Sequence, residues 1–133
     1  MLSSPPIEAD AAILEMVYPT IDEAIANRVT RRLGGWSRML TPLFTIQLKP
    51  RLGLSPAELR PIDHVAQLNC PKLFIAGSND AHTTLEESKH LYETARAPKE
   101  FWAIQGAAHV DLHKTAKVEY EQRVLSFFEK FLR

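Results

Sequence analysis

Cysteine is almost absent from this chain, which has Cys70 as its single cysteine among 133 residues. One cysteine can form neither a disulfide within the chain nor a cysteine-rich zinc site. The sequence also has no excess of either charge, because 16 Lys and Arg residues balance 16 Asp and Glu residues. We therefore expect no binding to nucleic acid or to an anionic membrane surface through charge.

Long apolar runs are missing as well. No stretch approaches the roughly 20 residues that a helix needs to cross a bilayer, so we expect no membrane span. The first ten residues, MLSSPPIEAD, have neither a basic segment nor an apolar one, and no signal peptide is visible. Together with the single cysteine, these features lead us to expect a cytoplasmic protein.

The apolar residues that are present predict strands alternating with helices. The run Leu73–Ala76 is continuously apolar, as a strand covered on both faces requires. We predict strands at residues 11–18, within 70–80 and at 100–106, with Gly77 ending the second strand, and helices at residues 21–33, 84–95 and 115–133. This alternation is typical of an α/β protein with a parallel sheet and helices on both faces. Between the first helix and the second strand, several prolines predict an irregular insertion with short helical pieces.

Two polar loops follow the second and third strands. The loop "GSND" delivers Asp80, and the loop "QGAAHVDLH" delivers His109. Sites in open parallel sheets form beyond the carboxyl ends of the strands, so these two side chains could meet. A carboxylate bonded to one ring nitrogen of a histidine fixes the tautomer and leaves the other nitrogen as a base. Each residue alone could be a plain loop or capping residue, but the pair favours a catalytic function.

A metal site is the alternative for the second loop. His109, Asp111 and His113 alternate along the sequence, and an extended chain would place them on one face. A zinc site needs three or four converging ligands, and the glycine and two alanines before His109 predict a turn. We therefore expect no metal, and we expect Asp111 and His113 to be polar residues of the loop and of the start of the next helix.

Three segments of the sequence resemble the C-terminal part of α/β-hydrolases of the serine-hydrolase kind, near the serine aminopeptidase and dienelactone hydrolase branches. They are "PIDHVAQLNCPKLFIAGSNDAHTT", "APKEFWAIQGAAHVDL" and "YEQRVLSFFEKFL". The resemblance is strong from about Asp63 to the end and weaker over residues 11–30. It implies the C-terminal part of an α/β-hydrolase fold, with about three parallel strands and flanking helices. Residues 1–133 would form a single partial domain, in which residues 33–60 are a cap-like or lid-like insertion.

The resemblance also implies roles for individual residues. "GSND" matches the family's G-x-x-D, which makes Asp80 the acid of a catalytic triad, and "GAAH" matches its G-x-x-H, which makes His109 the base. The implied reaction is hydrolysis of a small-molecule ester or amide, which needs no cofactor. The cap residues Trp36, Met39 and Phe44 would line a substrate pocket, although packing within a lid explains them equally well.

The serine that such a triad needs does not occur in the expected pattern. The family's nucleophile lies on a G-x-S-x-G elbow that precedes the acid and the base, and the sequence contains no G-x-S-x-G. The resemblance thus implies a chain that begins near the family's sixth strand. We expect the isolated chain to be inactive. We also expect it to be unstable, aggregating or oligomeric, because a missing N-terminal half or a second copy would have to cover its open sheet edge.

Two other interpretations stay open. The chain could be a non-catalytic binding or assembly module built on a degenerate half-fold, which the missing serine favours and the Asp80 and His109 pair disfavours. It could also be a truncated reading frame, or a fragment whose other half is a separate polypeptide. A strand and a G-x-S-x-G encoded in frame upstream of Met1 would indicate a truncated enzyme.

Overall fold

A parallel sheet forms the centre of the protein in a computed structural model that describes residues 8–132. Its strands are β1 (Ala12–Glu15), β2 (Lys72–Gly77) and β3 (Lys99–Ile104), and they lie in the order β1-β2-β3. Leu14 pairs with Phe74, and Phe74 pairs with Phe101 across the two parallel ladders. The parallel sheet predicted from the alternating pattern is therefore confirmed.

Helices follow each strand in the described part of the chain. They are α1 (Ile21–Leu33), α2 (Thr41–Thr45), α3 (Leu48–Leu52), α4 (Pro61–Val65), α5 (Leu85–Thr94), α6 (Leu112–Thr115) and α7 (Lys117–Phe131). Turns of 3₁₀-helix occupy Gly35–Leu40 and Pro56–Glu58, so the segment predicted as an insertion consists of short helical pieces. The first 3₁₀ turn and α2 pack against α1. No helix among residues 8–132 is long and apolar enough to span a membrane.

Local sequence signals fix where α1 and α5 begin and where α1 ends. The side chain of Thr20 accepts a hydrogen bond from the Glu23 backbone N–H at 3.2 Å, which satisfies one free donor of the first turn of α1. Gly34 follows α1 with φ of 86°, a conformation that glycine adopts without steric cost. Thr84 and Glu87 form a reciprocal capping box at the start of α5.

The two faces of the sheet bury separate apolar clusters. On one face, Phe74 packs with Leu14 and with Leu91 of α5. On the other face, Ile75 packs with Trp102, and Phe127 of α7 joins the same cluster. Successive residues of a strand point to opposite faces, so a continuously apolar β2 can serve both clusters. Helices therefore cover both faces of the sheet, as the sequence predicted.

The structure corrects the predicted limits of two elements. The first strand ends at Glu15 and does not reach residue 18, because Met16 has φ of 45° and turns the chain out of the sheet. The last predicted helix, at residues 115–133, is divided at Ala116, whose φ and ψ of −133° and 42° are not helical. α6 therefore ends before α7 begins.

The sheet covers only part of the apolar face that the sequence of α7 predicts. Helical spacing places Val118, Val124, Leu125, Phe128 and Leu132 on one face, which Phe127 and Phe131 widen. Val124, Phe127, Phe128 and Phe131 pack against the sheet together with Tyr120, whereas Val118, Leu125 and Leu132 are 68%, 60% and 50% exposed. The sequence pattern contains both sets of residues, and the direction from which the sheet approaches decides which of them is covered.

Tyr120 ties α7 to β1, which gives a prediction for alkaline pH. Its hydroxyl donates a hydrogen bond to the Glu15 carboxylate, and burial followed by this bond raises the pKa of Tyr120 to about 12. The contribution of this contact to the free energy of unfolding is fully present below pH 10.0, the ordinary pKa of tyrosine. It is lost as the pH rises through about 12. Absorbance at tyrosinate wavelengths should show a late ionisation that is missing in Tyr120→Phe. An unchanged titration curve in that variant would contradict the assignment.

Candidate active site

Asp80 is a buried carboxylate held by backbone hydrogen bonds in the loop after β2. Its Oδ1 accepts the backbone N–H of His82 at 2.7 Å and that of Thr83 at 3.0 Å. The Asp80 side chain is fully buried, so these two donors fix the orientation of its carboxyl group. The second oxygen, Oδ2, is left to bond a different partner.

That partner is His109, in the loop after β3. His109 Nδ1 lies 2.8 Å from Asp80 Oδ2, and the His109 side chain is 36% exposed. An ionised carboxylate can only accept, so Nδ1 carries the proton and donates it to Asp80. When the ring is neutral, this tautomer presents an Nε2 that can accept a proton, as a general base must. The structure thus brings together the two side chains that the sequence singled out.

Close backbone contacts hold the two loops against each other. Asn79 N–H donates to the Ala107 carbonyl at 2.9 Å, and Gly106 N–H donates to Ser78 Oγ at 2.8 Å. Gly77 lies directly under this contact, where an added Cβ would be only 2.4 Å from the Ala107 carbonyl oxygen. Only glycine lets the backbones approach so closely, and this approach sets the position of His109 relative to Asp80.

His82 also belongs to this site, although no motif in the sequence includes it. Its ring packs against the ring of His109, with centroids 5.0 Å apart and planes inclined by 62°. His82 Nε2 lies 2.6 Å from a guanidinium nitrogen of Arg31 in α1. Burial first, and then the charge of Arg31, lower the pKa of His82 and favour a neutral ring. Its position two residues after Asp80, in the turn that anchors the carboxylate, was the only sequence signal.

The other polar residues of the second loop have structural roles. Asp111 is the N-cap of α6, where its side chain accepts the Lys114 N–H at 3.1 Å, and this bond is the largest cause that lowers the pKa of Asp111. His113 lies in α6 and contacts Glu121 Oε1 through Nε2 at 2.9 Å. Both positions agree with the predicted loop and helix-start roles. Within residues 8–132, no group of three or more His, Cys, Asp or Glu side chains could hold a metal ion.

Comparisons with known proteins identify the fold. No protein-family model matches the sequence, and no curated protein is detectably similar to it. Among solved structures, the Pyrococcus furiosus esterase Pf2001 matches with a TM-score of 0.66 at 20% identity, over 99% of this chain and 47% of the esterase. The α/β hydrolase GrgF from Penicillium sp. sh18 matches with a TM-score of 0.61 at 16% identity, over 92% of this chain and 56% of GrgF. This chain has the fold of the C-terminal part of an α/β-hydrolase.

The match confirms the predicted α/β-hydrolase fold class and its partial character. The chain spans about half the length of the P. furiosus esterase. A puromycin-hydrolysing peptidase from Mycobacterium tuberculosis also matches, with a TM-score of 0.65 at 19% identity, over 94% of this chain and 19% of the peptidase. Identities this low carry the fold alone, so catalysis has to be argued from the side chains of this α/β-hydrolase fold.

The three residues predicted to line a substrate pocket lie in different environments. Phe44 of α2 lines a hollow of about 820 Å³ that also contains His82, so it lies close to the site of this α/β-hydrolase fold. Trp36 and Met39 are on the first 3₁₀ turn, are 67% and 85% exposed, and do not line that hollow. A role for all three in binding substrate stays a prediction.

Proposed function

We propose that this chain supplies the acid and base of a serine hydrolase that cleaves an ester or a small amide. The observation that carries the proposal is the 2.8 Å contact between His109 Nδ1 and the buried Asp80 Oδ2, at the carboxyl ends of adjacent parallel strands. Structural likeness to esterases and peptidases supports the same general kind of chemistry. In a mere scaffold nothing requires this pair of side chains.

The proposed reaction uses His109 in two successive proton transfers. Nε2 takes the proton of a serine hydroxyl as the serine oxygen attacks the substrate carbonyl, and Asp80 stabilises the resulting imidazolium. The imidazolium then gives that proton to the departing alcohol or amine as the carbonyl–heteroatom bond breaks. A water molecule then attacks the acyl-serine while His109 again takes up and returns a proton, and the carboxylic acid and the free serine are released. No step needs a metal or an organic cofactor.

In this proposal, the nucleophilic serine is supplied by a polypeptide segment outside these 133 residues. The sequence has no G-x-S-x-G, and an acid–base pair without a nucleophile has nothing to activate. A missing N-terminal half is the proposed source, and it would also cover the open edge of β1. By itself the chain is then inactive, with a small-molecule ester or amide as the substrate of the whole assembly.

Fluorophosphonate labelling tests both parts of the proposal. The isolated chain and its His109→Ala variant should neither be labelled nor hydrolyse p-nitrophenyl acetate or butyrate above background. The protein translated with the sequence upstream of Met1 should contain a G-x-S-x-G, be labelled and turn over both esters. Labelling of the isolated chain would show that the nucleophile lies within it, contrary to the proposal.

A non-catalytic module is the second candidate, favoured by the absence of the nucleophile pattern from the sequence. In that case the half-fold serves as a binding or assembly surface, and the Asp80–His109 contact only joins two loops. An upstream frame that encodes no strand and no G-x-S-x-G would support this candidate over the hydrolase. His109→Ala would then alter stability without altering any esterase activity.

A further inference from the structure

Arginine side chains of α1 form one wall of the hollow beside the Asp80–His109 pair. Arg28, Arg31 and Arg32 are spaced three and four residues apart, so they lie on the same side of the helix. The hollow has a volume of about 820 Å³, in the range of sites that bind small molecules. Its remaining lining is formed by Val29, Leu33, Phe44 and His82.

The positive charge of this wall is not neutralised within residues 8–132. None of the three arginines forms an ion pair with a carboxylate in that part of the chain. The carboxylate that contacts α1 from α5, Glu87, is engaged by the Asn27 amide at 2.8 Å and by the Thr84 N–H at 2.8 Å. Asp80 is engaged by His109 and by backbone donors. Arg28 donates through one nitrogen to the Ala24 carbonyl at 2.9 Å and Arg31 contacts His82, so their remaining N–H groups are available to an anionic ligand.

A short path joins this wall to the base. An arginine can only donate, so the 2.6 Å contact with Arg31 makes His82 Nε2 an acceptor, and the neutral His82 ring leaves the charge of Arg31 intact. The His82 ring in turn packs against His109 at 5.0 Å. His82 therefore contacts both the arginine wall and His109. The Val29, Leu33 and Phe44 side chains would contact apolar parts of the same ligand.

We propose that this hollow binds the carboxylate of a substrate that carries a short apolar chain between its carboxylate and its scissile ester or amide bond. Guanidinium groups bind carboxylates through paired, charge-assisted hydrogen bonds, and the apolar wall favours methylene groups over water. The assignment of the bound molecule as substrate rests on the proposed function. The binding of a carboxylate to the hollow does not, because it needs no serine.

Calorimetric titration with hexanoate, hexan-1-ol and inorganic phosphate tests the site directly, in this chain or, where the chain alone aggregates, in the serine-bearing protein. Hexanoate should bind at least about tenfold more tightly than either of the others, and Arg28→Gln or Arg31→Gln should weaken it by about tenfold or more. Arg96→Gln, an exposed arginine in the loop before β3, is the matched control and should bind hexanoate like the original chain. Equal hexanoate affinity in Arg31→Gln and in the original chain would overturn the proposal, and so would hexan-1-ol or phosphate binding as tightly as hexanoate.

A second measurement separates this proposal from the hydrolase proposal. In the serine-bearing protein, kcat/KM for monomethyl adipate should exceed that for dimethyl adipate by about tenfold, and Arg31→Gln should lower kcat/KM about tenfold more for the charged ester than for the uncharged one. Hydrolysis of both esters at equal rates would refute the carboxylate subsite and leave the hydrolase proposal standing. Hexanoate binding by a protein that never hydrolyses esters would support the carboxylate subsite and refute the hydrolase proposal.

Discussion

Replacement of His109 with alanine in the serine-bearing protein is expected to lower kcat for p-nitrophenyl butyrate by about 10⁴-fold with little change in KM. The imidazole acts only as protons move in the transition state, so its removal affects turnover and leaves substrate binding intact. Asp80→Asn should have an effect of similar size, because an amide in place of the carboxylate disfavours the tautomer that keeps Nε2 free. Steady-state kinetics with both variants measures these losses.

His113→Ala is the matched control for His109→Ala. His113 lies four residues further along the chain and is bonded to Glu121, away from Asp80. Its removal should change kcat by less than about twofold, since a half-exposed polar contact between two helices, remote from Asp80, contributes little. If His109→Ala kept more than a tenth of the original activity, the assignment of His109 as the base would be wrong.

Replacement of Gly77 with alanine is expected to destabilise the fold by about 3 kcal/mol, or roughly 10 °C in Tm. The new Cβ would be 2.4 Å from the Ala107 carbonyl oxygen and 3.0 Å from the Ala108 carbonyl oxygen. Both are backbone atoms that cannot rotate away, so the loop that carries His109 must move. Chemical and thermal unfolding of the serine-bearing protein measure the loss, and NMR of the His109 ring should report that its contact with Asp80 is disturbed.

Gly35→Ala provides the comparison, because a Cβ at Gly35 would meet nothing within 4 Å. This variant should unfold within about 0.5 kcal/mol of the original chain, as substitutions at open surface positions do. Similar losses of unfolding free energy in Gly77→Ala and Gly35→Ala would show that the close approach of the backbones at Gly77 is unimportant. A stable Gly77→Ala with unaltered His109 resonances would contradict the role given to this contact.

The sequence predicted the central sheet well, because its signals are local. A run of apolar residues flanked by a proline and a glycine gives β2 at Lys72–Gly77, and Thr84 followed by Glu87 gives the start of α5. The pair of Asp80 and His109 could also be predicted, since parallel strands bring their carboxyl ends to one edge of the sheet. These inferences need only the order of elements along the chain.

Contacts between distant parts of the chain lay beyond the reach of sequence patterns. Arg31 and His82 are 51 residues apart and meet at 2.6 Å because α1 packs beside the loop after β2. Along α7, an outer apolar row that includes Leu125 and an inner row that includes Phe127 are similarly apolar in sequence, yet the sheet covers the inner row. Helical periodicity gives the existence of an apolar face but not the direction of its neighbour.

The sequence by itself determined the alternation of strands and helices and singled out Asp80 and His109 as neighbours, because both follow from local apolar patterns and strand order. The likeness to α/β-hydrolases came from three matching segments of the sequence. Tertiary structure alone decided that His82 packs on His109, that three arginines of α1 share the adjacent hollow, and that Gly77 fixes the spacing of the two loops. The physical reason is that these features depend on distances between elements. Packing of whole helices and strands sets such distances, which the pattern within any one element does not encode.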